Sequence, residues 1–93
     1  MTTQAEMQQA IKEVCVELAA FLIEKNESYG NSVAEPVNMF AKGLTPEQQI
    51  GVRIDDKLSR IASGSEYPGD DTVKDLAGYL ILQMALKKAN DDA

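Results

Sequence analysis

Thr45-Pro46-Glu47-Gln48-Gln49-Ile50-Gly51-Val52-Arg53-Ile54-Asp55-Asp56-Lys57-Leu58-Ser59-Arg60-Ile61-Ala62-Ser63-Gly64 reads as one amphipathic helix with both ends marked. Thr45 is an N-cap. Pro46 takes the first helical position, where a missing N–H is no loss, and Gln48 completes a capping box. Ile50, Ile54, Leu58 and Ile61 follow the helical period and are expected to face a core. Arg53, Asp56, Lys57 and Arg60 stand at i, i+3, i+4 and i+7 and share another face. Both arginines of the chain lie in this stretch. Three cations around one carboxylate suit an anionic ligand; they suit as well an exposed helix laced with i,i+4 pairs, or salt bridges to Glu13, Glu17 or Glu24. A guanidinium offers a planar fork that matches phosphate oxygens, and a lysine adds a mobile point charge.

The flanking segments carry the same period. Thr3-x-x-Glu6 spells a capping box for a first helix over about 4–27. Met7, Ile11, Val14, Leu18, Phe21 and Leu22 form its stripe, and Ala10, Val16, Ala20 and Ile23 widen it. So wide an apolar surface implies contacts on two sides, one of them with a second subunit. A third helix is expected over about 71–89, opening at Asp70 or Asp71, with Val73, Leu76, Ala77, Leu80, Ile81 and Met84 as its core face. Gly78 within it allows close approach of another helix, at a cost of about 1 kcal/mol relative to Ala. Residues 28–46 read as a connection. Within it Ser32-x-x-Glu35 would cap a short helix near 33–42, stopped by Gly43. Nothing reads as a strand. The expectation is an all-α fold, a small bundle of three main helices in a single domain, 1–93.

Composition narrows the function classes. The net charge of −6 would repel a phosphate backbone, so a nucleic-acid partner is not expected. Ninety-three residues with 44% hydrophobic content support one small core, and modest stability makes a homo-oligomer the expectation. There is no histidine, which removes histidine-based metal sites and Ser-His-Asp machinery. The one cysteine, Cys15, sits among Val14, Val16 and Leu18 and is expected to be a small buried apolar residue. The N-terminus lacks the pattern of a signal peptide, and no apolar run reaches the roughly 18 residues of a membrane span, so a cytoplasmic location is expected.

Two further clusters stand beside the Arg53–Arg60 stripe. Asp71 and Asp75 lie one turn apart and are able to share a hard cation such as Mg²⁺. Equally, Asp71 would serve as an N-cap, and Asp75 would pair with Lys74 or Lys57. The stretch from Glu24 to Ser32 gathers carboxylates, amides, a cation and the Tyr29 ring. It reads equally as an ordinary helix end and turn.

Lys25-Asn-x-x-Tyr29-Gly30-Asn31-Ser32, Arg53-Ile-x-Asp56-Lys57-Leu-x-Arg60 and Asp71-Thr72-x-x-Asp75-Leu-x-x-Tyr79 occur in that order. They resemble the nucleotide-modification-associated domain found largely in phages. That family is similar to the all-α nucleoside triphosphate pyrophosphatases of the MazG and dimeric dUTPase superfamily. The resemblance covers roughly residues 18–86. It implies an oligomer in the host cytoplasm, with a nucleotide and Mg²⁺ held between helices. On this reading Asp56 and Asp75 are catalytic, and Glu24, Asp56, Asp71 and Asp75 hold the metal. Lys25, Asn26, Tyr29, Asn31, Arg53, Lys57, Arg60 and Tyr79 bind the phosphates and the nucleoside. The pyrophosphatases use an ExxE and an ExxD pair. Here Glu24-x-x-Glu27 falls at a helix end, Arg53-x-x-Asp56 stands where an acid pair is expected, and Asp71-x-x-x-Asp75 has a different spacing. Three functions are therefore expected in competition: Mg²⁺-dependent hydrolysis of a nucleotide, nucleotide capture without turnover, and a helical protein-interaction module.

Overall fold

A computed structural model describes residues 1–36 and 42–92. It has three helices, α1 (Gln4–Ser28), α2 (Pro46–Ser63) and α3 (Thr72–Asp91), and no strand among the described residues. The helix ends follow from local chemistry. At α2, the Gln48 N–H donates to Thr45 Oγ1 at 3.1 Å, and the Thr45 N–H donates to Gln48 Oε1 at 2.9 Å. The capping box is thus complete, and two amides that the helix leaves unpaired are satisfied. Gly64 closes the other end at φ 70°, a backbone conformation that disfavours side chains with a Cβ. At α1, the Glu6 N–H donates to Thr3 Oγ1 at 3.1 Å. At α3, the Lys74 N–H donates to Asp71 Oδ1 at 3.0 Å, so Asp71 is the N-cap. No helix among the described residues is long and apolar enough to cross a membrane.

The chain divides into two units, Met1–Gly30 and Asn31–Ala93. In the first, every residue of α1 from Gln4 to Glu17 is exposed, and Leu18 is the one buried residue of the helix. Cys15 is therefore exposed, contrary to the sequence expectation. The neighbours that made it look interior, Val14 and Val16, are themselves at the surface.

In the second unit α2 and α3 run antiparallel. Arg60 pairs with Asp70, Lys57 with Asp75, and Glu47 with Asn90, so one index falls as the other rises. Ile50 and Leu86 are buried, and Ile54 and Leu82 are half-buried. The seam on α3 is Thr72, Asp75, Tyr79, Leu82 and Leu86, repeating every three or four residues, with Gly78 buried beside it. This is not the face that hydropathy alone selects. Val73, Leu80 and Met84, expected in the core, are exposed, while Leu76, Ala77 and Ile81 are half-buried. Leu58 and Ile61 on α2 are also exposed. A two-helix contact covers one narrow stripe on each helix. Between Leu76 and Leu86, α3 is apolar on most sides, so hydropathy does not single out that stripe.

Before α2, the amides of Ala34 and Glu35 both donate to the Asn31 carbonyl at 3.1 and 3.0 Å, and residues 31–35 form turns. Residues 37–41, half of the short helix expected near 33–42, lie outside the described residues.

Two substitutions check the fold. Thr45→Ala removes the capping box and is expected to cost about 1 kcal/mol. Ile50→Ala, at the best-buried apolar position, is expected to cost about 2–5 kcal/mol. Urea denaturation followed by circular dichroism reads both.

Candidate functional site

The helical period places Gln49, Val52, Arg53, Asp56 and Lys57 along one side of α2. With Tyr79 of α3 they line a cavity of about 370 Å³. Small-molecule pockets generally run from about 300 to 1,000 Å³, and this half-open depression lies at the low end of that range. Tyr79 reaches the cavity because it lies one turn beyond Asp75 on the α3 seam.

The charges around the cavity differ in how far they are committed. Lys57 Nζ lies 3.6 Å from Asp75 Oδ2, with the two side chains only 14% and 29% exposed. Arg60 divides its guanidinium between Asp56 at 3.4 Å and Asp70 at 3.5 Å. Arg53 is exposed on the cavity wall and forms no ion pair among the described residues. Of the three cations read as a stripe, two are matched by carboxylates and Arg53 is not.

The expected metal ligands are engaged one by one. Asp56 pairs with Arg60, Asp75 pairs with Lys57, and Asp71 caps α3. Among the described residues no three His, Cys, Asp or Glu side chains form a group that could hold a metal ion. The donor set around the cavity therefore does not match an Mg²⁺ cage built from Asp56, Asp71 and Asp75, and no chemical step is assigned through a metal.

The remaining expected residues are placed as follows. Glu24, Lys25 and Asn26 lie in the last turns of α1 and Tyr29 is its C-cap, all in the first unit. Lys25 Nζ stands 4.6 Å from the centroid of the Phe21 ring, in cation–π geometry. Asn31 adopts φ 64° at the start of the second unit and is not among the residues lining the cavity.

Three contributors escaped the sequence reading. Gln49 and Val52 line the cavity, and their spacing of four and one before Arg53 was the available signal. Glu66 Oε1 accepts from the Thr72 N–H at 2.9 Å and ties the α2–α3 loop to the start of α3. No local pattern announces that six-residue closure.

No protein-family model, curated protein or solved structure matches the chain. What stands is the all-helical architecture and the cavity itself.

Asp71 gives a clean distinction between capping and metal binding. Asn caps a helix about as well as Asp. Asp71→Asn is expected to leave stability within about 0.5 kcal/mol of the parent, whereas Asp71→Ala is expected to lose about 1 kcal/mol. Paired urea titrations, with and without Mg²⁺, measure both and are expected to agree.

Proposed function

We propose that the cleft between α2 and α3 captures a nucleotide without turning it over. The observation that carries this reading is the uncommitted Arg53 guanidinium on the wall of a 370 Å³ cavity that Tyr79 also lines. Arg53 supplies two parallel N–H donors to a phosphate group, a charge-assisted arrangement stronger than neutral hydrogen bonds. The Tyr79 ring offers a flat apolar surface for a base, worth about 1–3 kcal/mol when stacked. Lys57 stands beside Arg53 and adds a second, partly neutralised charge.

The carboxylates favour capture over pyrophosphatase-like hydrolysis. Metal-assisted hydrolysis needs acids that converge on a cation. Here Asp56 and Asp75 each neutralise a basic side chain, and Asp71 is spent on the helix end. The partner of the protein surface is taken to be a second copy of the chain. Among the described residues α2 and α3 have Ile50 and Leu86 buried and leave Val73, Leu80 and Met84 outward, an apolar surface that a second copy would cover.

Titration calorimetry with a panel of nucleotides, in EDTA and then in Mg²⁺, tests the reading. Retention of unchanged ligand is expected in both, and Arg53→Ala is expected to weaken affinity about 10- to 100-fold, the worth of a hydrogen bond to a charged group. Appearance of monophosphate and pyrophosphate would replace capture by hydrolysis. For self-association, Met84→Glu is expected to shift the light-scattering mass toward that of a single chain. An unchanged mass would place the interface elsewhere.

A further inference from the structure

The charge pattern of the cleft points to its ligand class: we infer that it selects nucleotides bearing one phosphate group over nucleoside triphosphates. This rests on the capture reading above and narrows it. Arg53, Lys57 and Arg60 are the cations in and beside the cavity, and Asp56, Asp70 and Asp75 are the carboxylates they meet. Three positive and three negative groups leave the whole assembly neutral.

A triphosphate presents two more anionic groups than a monophosphate. Each needs a cation, a metal or exposed amides to replace its water. Among the described residues the wall has one fork without a carboxylate partner, that of Arg53. Lys57 is held by Asp75 in a partly buried pair, where attraction is screened less than at the surface. Asp56 lines the same cavity and would lie close to any additional phosphate. The chain as a whole carries −6, so the surrounding field adds repulsion. The cavity volume, near the lower end of the range for ligand pockets, also suits the smaller ligand.

Asp75 is then a selectivity residue, acting through Lys57. Removing its charge frees the lysine for a second phosphate group. This is opposite in sign to the effect of deleting a metal ligand.

The test compares adenosine and guanosine monophosphates with the corresponding triphosphates, in EDTA, on the full chain and on Asp75→Asn. For the parent, monophosphates are expected to bind at least as tightly as triphosphates. Asp75→Asn is expected to raise triphosphate affinity about 3- to 5-fold, the scale of a partly exposed ion pair, with little change for monophosphates. Parent affinity more than tenfold higher for a triphosphate would overturn the selectivity while leaving capture intact. If no member of the panel binds, capture itself fails. Should a folded Asp75→Asn lose affinity for every nucleotide, the role assigned to Asp75 is wrong. The comparison on the parent stands even if that variant does not fold.

Discussion

Lys57 and Asp75 meet at 3.6 Å within the seam between α2 and α3, in a partly buried position. A lone charge left in such a place is costly, so the two side chains favour each other over any register that separates them. Ile50 and Leu86 are buried further along the two helices. Together these contacts fix which turn of α3 lies against which turn of α2. Tyr79 follows Asp75 by one turn and is thereby carried to the cavity that Arg53 and Asp56 line. The site is a consequence of that register, which the apolar seam sustains and the polar pair accompanies.

That mixture explains which parts of the molecule were legible in the sequence. The ends of α2 are written locally, in Thr45, Pro46, Gln48 and Gly64, and the helix spans the residues those signals mark. The stripe of Arg53, Asp56, Lys57 and Arg60 needed only the helical period. The inward face of α3 was a different problem. With apolar residues on most sides of Leu76–Leu86, hydropathy selected Val73, Leu80 and Met84, which the structure leaves exposed. The inward face carries Asp75, which meets Lys57 across the seam, and a contact between helices leaves no mark in the pattern of either one.

The carboxylates show the same limit. Asp56, Asp71 and Asp75 were recognisable as acids on helix faces, and their number invited a metal. Whether an acid holds a cation, caps a helix or pairs with a base depends on what stands opposite. Asp71 proved to be a cap, which its position before Thr72 allowed. Asp56 stands beside Arg60 and Asp75 beside Lys57. The wall that began as a stripe of three cations therefore presents one unmatched arginine on an acidic protein.

In the proposed capture Arg53, and not Arg60, meets the phosphate of the nucleotide. The chain has only these two arginines, so a ¹⁵N-edited NMR spectrum resolves their two Nε–Hε signals, assigned with an Arg53→Lys variant. On titration with adenosine or guanosine monophosphate in EDTA, the Arg53 signal is expected to move and saturate while the Arg60 signal stays within its ion pairs. Movement of Arg60 alone, or of neither signal at saturating nucleotide, would rule out phosphate binding at Arg53.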